Sequence, residues 1–156
     1  MRMCLIAIGT RMPAWVKAGF DEYAVRFPRE CPLQLLEIPA GKRGKQGGLE
    51  RLVREEGERI LAAVPKGARL IALDASGQQW DTEQLAGELA RWLQEGRDLA
   101  LMIGGPDGLD STCLAHAELT WSLSRLTLPH PLVRIIVAEQ LYRALSLLHQ
   151  HPYHRG

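Results

Sequence analysis

The stretch Leu99–Asp110, LALMIGGPDGLD, joins five apolar residues directly to Gly-Gly-Pro-Asp-Gly. A short, unbroken apolar run is typical of a β-strand that is covered on both faces. A turn after such a strand needs one or two glycines, whereas this loop has three in five residues. The extra glycines predict a loop where another group comes close to the bare backbone, although a tight turn from strand to helix explains the pattern equally well. The spacing is neither the dinucleotide-binding G-x-G-x-x-G nor a Walker lysine motif.

Strand-like and helix-like patterns alternate along the rest of the chain. The strand-like runs are CLIAIG, LQLLEIP, RLIALD, LALMIGG and ELTWSLS. This alternation predicts one α/β domain over residues 1–156, with a mostly parallel sheet and helices on both faces. Ligands of such sheets bind at the carboxyl ends of the strands. We therefore expect ligand-binding residues at three strand ends: Leu73-Asp74, Ile103-Gly104-Gly105 and Leu123-Ser124.

The last helix, predicted from about Pro131 to His149, is apolar on more than one face. Its apolar residues are Leu132, Val133, Ile135, Ile136, Val137, Leu141, Leu145 and Leu148. One sheet cannot cover all of them, so a second subunit is the expected cover for the other face. Glu139 and Arg143 are spaced for an ion pair within this helix.

Composition excludes several classes of protein. Apolar residues make up 46% of the 156-residue chain and the net charge is +1, which gives no large basic field for nucleic acid. The three cysteines are scattered without a CxxC pair, which indicates neither a disulfide framework nor a zinc knuckle and favours a reducing cytoplasm. The apolar start reads as a buried strand and not as a signal peptide, and no apolar run is long enough for a membrane span.

Three further segments are candidate binding elements. His130 lies between Pro129 and Pro131, which predicts it as a helix N-cap more readily than as a proton carrier. The glycine-rich AGKRGKQGG carries three cations that could contact phosphate, although a solvated loop is the simpler interpretation. The tail HQHPYHRG has aromatic, imidazole and guanidinium groups that could stack on a base and bind a phosphate, although a frayed terminus is the alternative. Its histidines lack a carboxylate or cysteine partner, so we expect no metal site.

Taken together, these segments resemble the ribosomal RNA large subunit methyltransferase H family, the pseudouridine N3-methyltransferases of the SPOUT superfamily. The matching stretches are AIGTRMPAWV, FPRECPLQLLEIPAGKRGK, IALDASG, IGGPDGL, WSLSRLTLPHPLVRIIVAEQLYRA and HPYHR, which span essentially the whole chain. The resemblance implies a C-terminal trefoil knot, a homodimer and S-adenosylmethionine as methyl donor. It implies as acceptor a pseudouridine in the large-subunit RNA hairpin that contacts the small subunit, methylated in assembled ribosomes.

The resemblance also implies the site residues. The expected cofactor-binding positions are Leu73, Gly104, Gly105, Leu123, Ser124, Arg125, Leu126, Thr127 and Leu128. Bare backbone at Gly104 and Gly105 would let the cofactor lie against the chain. The expected catalytic group is Arg143, Tyr153 and His154, and the expected RNA contacts are Lys42, Arg43, Lys45 and Arg155.

Positioning is the main contribution that methyl transfer to N3 requires of the protein. His154 is the candidate general base, because imidazole exchanges protons near neutral pH, and Tyr153 is expected to stack on the target base. The tail could come from the subunit opposite the one that binds the cofactor. Two other functions remain open at this point: a non-catalytic ribosome-binding factor that uses the same loop and tail, and a nucleotide-binding regulator that uses the glycine loop.

Overall fold

The structure, a computed structural model, describes residues 1–42 and 48–155. The strands are β1 (Met3–Ile8), β2 (Leu33–Ile38), β3 (Arg69–Gln78), β4 (Leu99–Ile103) and β5 (Leu119–Trp121). The helices are α1 (Ala14–Ala24), α2 (Gly48–Ala63), α3 (Thr82–Glu95), α4 (Ser111–His116) and α5 (His130–Leu148), followed by a short 3-10 helix (Pro152–Arg155). The predicted alternation of strands and helices is confirmed.

The five strands form one sheet in the order β2-β1-β4-β3-β5, and every neighbouring pair is parallel. All of the carboxyl ends therefore lie at one edge of the sheet. β3 is longer than the run RLIALD suggested, and its pairing with β5 shifts in register between Leu73 and Gln78. Gly77 makes this extension possible, because a Cβ atom there would lie 2.6 Å from the carbonyl carbon of Thr120.

Alternate residues of the central strands face two separate cores. Leu5 and Ala7 of β1 belong to the core that α1, α3 and α5 cover. Ile6 and Ile8 belong to the core beneath α2 and α4. The prediction of helices on both faces is confirmed, and it explains why β4 is buried along its whole length.

Helix α5 is only partly covered within one chain. Val137, Leu141 and Leu145 are fully buried against the sheet side. Leu132 is exposed, and the remaining apolar residues that the sequence placed on a second face are half-buried: Val133, Ile135, Ile136 and Leu148. A stripe of apolar surface thus remains along α5.

A local capping signal sets the start of α3 but not that of α5. Asp81 and Gln84 form the predicted capping box before α3, with the Asp81 carboxylate accepting a hydrogen bond from the Gln84 amide at 2.8 Å. The prediction that His130 is the N-cap of α5 is wrong. Pro129 occupies that position without a side-chain hydrogen bond, and His130 is already helical, because the fixed φ of Pro129 and Pro131 favours an early start.

The start of α5 is fastened to the sheet by Arg134, which is 1% exposed. Its guanidinium donates hydrogen bonds to the Glu37 carboxylate at 2.6 Å and to the carbonyl oxygens of Ile8 and Gly9 at 3.1 and 2.8 Å. The carboxyl ends of β1 and β2 are thereby tied to α5. No helix in the described ranges is both long and apolar enough to cross a bilayer.

Candidate functional site

The middle of β3 and the loops that follow β4 and β5 surround a cavity of about 330 Å³. All of the expected cofactor-binding residues except Arg125 line it. Those lining residues are Leu73, Gly104, Gly105, Leu123, Ser124, Leu126, Thr127 and Leu128. The three segments singled out in the sequence therefore meet at one place, although Leu73 and Asp74 lie within β3 and not at its end. Arg125 is exposed, and its side chain lies outside the lining.

The glycine loop after β4 folds back on itself at the cavity wall. The Gly108 amide donates a hydrogen bond to the Gly105 carbonyl at 3.0 Å, and Gly108 has a left-handed φ of 78°. A Cβ atom on Gly104 would lie 2.4 Å from the carbonyl carbon of Gly108 and 2.7 Å from the amide of Leu109. A close approach at Gly104 thus exists, and the group that approaches is the backbone of the same loop, while cofactor binding at this residue remains a prediction.

The segment after β5 forms the opposite wall. The Ser122 hydroxyl donates a hydrogen bond to the Ser124 carbonyl at 2.9 Å, and the Ser124 hydroxyl accepts one from the Leu126 amide at 3.0 Å. These bonds fix the turn that leads to Pro129. Leu126 is 74% exposed, so an apolar side chain at the cavity rim is open to solvent.

The lining also includes residues outside the expected cofactor-binding set. Asp74 is the one Asp, Glu, Lys or Arg among the described lining residues, and its Oδ2 accepts hydrogen bonds from the amide and the hydroxyl of Ser76. Trp121, His130 and Val133 also line the cavity. Asp74 could be found from the sequence, because it directly follows the apolar run LIAL and was named there together with Leu73. Val133 could not be found without knowing how α5 is rotated.

The expected catalytic residues lie elsewhere in the same chain. His130 lines the cavity at the start of α5, and Arg143 follows thirteen residues later in the same helix. A rise of 1.5 Å per residue puts Arg143 about 20 Å along the helix from the cavity wall. The structure therefore brings Arg143 to Tyr153, with His154 next in the chain, at the end of α5 that lies away from the cavity.

These groups form a compact cluster at the end of α5. Arg143 Nε donates a hydrogen bond to Glu139 Oε1 at 2.7 Å, which confirms the ion pair predicted within the helix. That bond raises the pKa of Arg143, which stays a cation at every ordinary pH. The Arg143 guanidinium lies 5.1 Å from the ring centroid of Tyr153. Burial raises the pKa of Tyr153, so its phenol is neutral at physiological pH.

His154 has one ring nitrogen committed to the backbone. Its Nδ1 lies 2.5 Å from the carbonyl oxygen of His151. Because a carbonyl can only accept, this contact assigns the hydrogen to Nδ1 and leaves the lone pair of a neutral imidazole on Nε2. A neutral His154 can therefore accept a proton at Nε2.

Of the expected RNA contacts, Lys42 and Arg155 are exposed. Arg43 and Lys45 lie outside the described residues. Within residues 1–42 and 48–155, no three His, Cys, Asp or Glu side chains are grouped so as to hold a metal ion. Cys4, Cys31 and Cys113 are free thiols, and burial raises the pKa of Cys113 to about 11.

Comparison with known proteins shows one family match and two structural similarities. A family model described as "Predicted SPOUT methyltransferase" matches residues 1–154. The chain is similar in structure to a probable methylase family protein from Haemophilus influenzae Rd KW20, with a TM-score of 0.56 and 13% identity over 97% of this chain and 69% of that one. It is also similar to a structure described in terms of the 2-OH methylation of C/U34 on tRNA, with a TM-score of 0.50 and 20% identity over 93% of this chain and 97% of that one.

Proposed function

Because the chain belongs to the SPOUT methyltransferase family, we propose that it transfers a methyl group from S-adenosylmethionine to N3 of a pseudouridine in large-subunit ribosomal RNA. The proposed acceptor lies in the hairpin that contacts the small subunit, and the proposed substrate is the assembled ribosome. The observation that carries the proposal is the cavity formed by the middle of β3 and the loops after β4 and β5. An RNA substrate agrees with the tRNA methylation described for one structural neighbour.

The cavity suits a nucleoside cofactor. Its volume of about 330 Å³ lies at the lower end of the range for small-molecule sites, and its lining is mainly apolar. Leu126, Leu128 and Val133 offer apolar walls for a purine, and Ser124, Thr127 and Asp74 offer polar groups for hydroxyl or ammonium groups. When bound there, S-adenosylmethionine supplies an electrophilic methyl group on its sulfonium.

The chain's own contribution is to hold the acceptor and remove its proton. N3 of pseudouridine carries a hydrogen that must leave as the methyl group arrives, and His154 Nε2 is the proposed acceptor of that proton. Arg143, Tyr153 and Arg155 are proposed to hold the target nucleotide, whose extrusion from its stack costs a few kcal/mol. Lys42, with Arg43 and Lys45, is proposed to bind RNA phosphates.

These roles require two copies of the chain. The tail cluster and the cavity of one chain lie about 20 Å apart along α5, so we place the tail of one protomer at the cavity of its partner. The exposed apolar surface supports such a homodimer. Trp15 and Leu132 are 53% and 38% exposed, and each lies one turn before the point where Gly19 of α1 meets Ile135 of α5. A patch of this kind beside a cavity is typical of an interface.

The C-terminal trefoil knot is likewise proposed, on the family and on the sheet order β2-β1-β4-β3-β5. Pulling the unfolded chain by its two ends tests it. A tightened knot shortens the extended length below about 3.5 Å per residue, whereas an unknotted chain reaches that length.

The decisive experiment supplies radiolabelled S-adenosylmethionine to ribosomes that lack the modification. We expect label in the large-subunit RNA of whole ribosomes, at N3 of one pseudouridine, and less label with separated subunits. Binding to ribosomes without label transfer would identify a non-catalytic ribosome-binding factor. Label at a ribose or at another base would preserve the methyltransferase and overturn the proposed acceptor.

Removal of residues 152–156 separates the two halves of the proposed site. Methylation should be abolished, because the groups proposed to hold the nucleotide are lost, whereas the affinity for S-adenosylmethionine measured by calorimetry should be unchanged. An equal loss of both would contradict the division of labour between tail and cavity.

A further inference from the structure

Three tyrosine rings surround the guanidinium of Arg26. Its Cζ atom lies 5.2 Å from the ring centroid of Tyr23, 5.8 Å from that of Tyr142 and 5.5 Å from that of Tyr153. These rings come from α1, α5 and the tail. Guanidinium groups within about 6 Å of an aromatic centroid are attracted to the ring face. Arg26 thus joins α1 to two C-terminal elements that are far from it in sequence, α5 and the tail.

Two hydrogen bonds to Glu22, one turn earlier in the chain, hold the Arg26 guanidinium in place. Arg26 Nε donates a hydrogen bond to the Glu22 carbonyl at 3.1 Å, and its Nη2 atom donates one to the Glu22 carboxylate at 2.9 Å. Both acceptors belong to α1, which packs against α5 where Gly19 meets Ile135. The orientation of Arg26 is therefore set by a helix that is itself fixed in the core.

Tyr153 is the tail residue that contacts Arg26 and Tyr142. Its ring makes an edge contact with Tyr142 at a centroid distance of 4.9 Å, and Arg143 lies 5.1 Å from its centroid. His154 is the next residue, and its Nδ1 is bonded to the tail's own backbone. Because Tyr153 and His154 are consecutive residues of the same short 3-10 helix, the position of Tyr153 constrains the direction in which Nε2 of His154 points.

We propose that Arg26 is a positioning residue for the C-terminal tail: it fastens Tyr153 to α1 and so sets the orientation in which His154 and Arg155 meet the target nucleotide. This inference rests on the proposed function for its consequence in catalysis. Its structural half, the fastening of the tail, does not. Arg26 touches neither the reacting atoms nor the cavity lining.

The test measures tail mobility and catalysis in the same full-length variants. Arg26→Ala should speed amide hydrogen exchange of His151 and Tyr153 by about tenfold, because the attraction to two rings outside α1 is lost. The same variant should lower kcat for ribosome methylation while the Kd for S-adenosylmethionine stays unchanged. Arg29→Ala, at an exposed arginine three residues along the chain, is the matched control and should change neither quantity.

A second variant tests whether the planar guanidinium of Arg26 or only its positive charge is needed. Arg26→Lys keeps the positive charge but loses the flat guanidinium, so exchange and kcat should lie between those of the wild type and Arg26→Ala. Wild-type exchange in both variants would overturn the proposal, whatever their activity. A lowered activity with unchanged exchange would assign Arg26 to RNA phosphate instead. Faster exchange in a protein that methylates no RNA would keep the fastening and refute only the proposed function.

Discussion

At the scale of the residue, Gly104 shows how a glycine can serve a site indirectly. The space beside its Cα is filled by the carbonyl group of Gly108 and the amide of Leu109, both of which are backbone and cannot rotate away. The cavity wall keeps its shape because the loop can close this tightly. The functional consequence of the glycine is thus a loop conformation.

Gly104→Ala should destabilise the protein by about 1–3 kcal/mol, because the added methyl group forces the loop to move. The affinity for S-adenosylmethionine should fall as well, since the displaced residues line the cavity. Urea unfolding and calorimetry measure the two effects. Gly87→Ala is the control: no atom lies within 4 Å of its added Cβ, and a helical alanine should raise stability by about 0.5–1 kcal/mol. Equal stability of the Gly104→Ala protein and the wild type would contradict the packing described for the loop.

Several residue positions could be predicted from the sequence, and others could not. Leu73 and Leu123 follow apolar strand runs, so the rule that ligands bind at strand ends predicts where they lie. Arg26 and Arg134 gave no such signal, because their partners are set by tertiary contacts. Glu37, which binds Arg134, is 97 positions away in sequence. The backbone contact at Gly104 could not be predicted either, since a contact within a loop leaves the same glycine pattern as a contact with a ligand.

At the scale of the element, the position of α5 depends on Arg134. This residue lies one position after Val133, which lines the cavity, and its hydrogen bonds reach the ends of β1 and β2. Arg134 is buried whereas the Glu37 side chain is 35% exposed, so removal of Arg134 mainly leaves the carbonyl oxygens of Ile8 and Gly9 without their donor. The helix start and the sheet edge are therefore stabilised together.

Arg134→Met should lower the free energy of unfolding by about 1–3 kcal/mol, because the buried carbonyl groups of Ile8 and Gly9 lose their donor. Denaturant unfolding monitored by circular dichroism gives this value. The matched control is Arg51→Met, which removes an exposed pair with Glu55 and should cost less than about 1 kcal/mol. A cost for Arg134→Met no larger than for Arg51→Met would show that Arg134 does not hold α5.

The opposite edge of the sheet contains an ion pair that responds to acid. Arg97 donates two hydrogen bonds to the Glu118 carboxylate, at 3.0 and 2.7 Å, and this pairing lowers the pKa of Glu118 below its ordinary value of 4.5. The contact joins the end of α3 to the start of β5. A carboxylate with a lowered pKa in the folded state stabilises the fold above its unfolded pKa and loses that contribution as acid protonates it.

Glu118→Gln should therefore be less stable than the wild type at pH 7, and the difference should shrink as the pH falls below 4.5. Thermal unfolding at a series of pH values measures this difference. Glu58→Gln, at an exposed position within α2, should show no such trend. A difference that is constant from pH 7 to pH 3 would exclude the Arg97 pair as its source.

At the scale of the whole molecule, the sequence predicted the strands of the sheet but not their order. Alternating apolar runs predicted five strands, and the structure has all of them in one parallel sheet. The order β2-β1-β4-β3-β5 could not be predicted, because it depends on which pairings between distant strands are most stable and not on the local sequence pattern. The apolar excess on α5 gave a correct signal that one chain does not cover the helix completely, since Leu132 stays exposed.

The separation of tail and cavity leads to a prediction about mixed dimers. A protomer with Gly105→Val has an obstructed cavity and an intact tail, and a protomer that lacks residues 152–156 has an intact cavity. Each variant alone should be inactive. If the tail of one protomer serves the cavity of its partner, random mixing makes about half of the dimers mixed, each with one complete site, and restores about a quarter of wild-type methylation.

Co-expression with two different affinity tags, followed by assay of the doubly tagged fraction, measures this restored activity directly. The pure variants purified in the same way are the controls. The doubly tagged dimers should have about half of the wild-type activity, because one of their two sites combines both intact parts. No activity in that fraction would mean that each tail serves the cavity of its own chain. The tail would then have to leave Tyr142 and Arg26 and cross about 20 Å along α5, a rearrangement that the cluster around Tyr153 opposes.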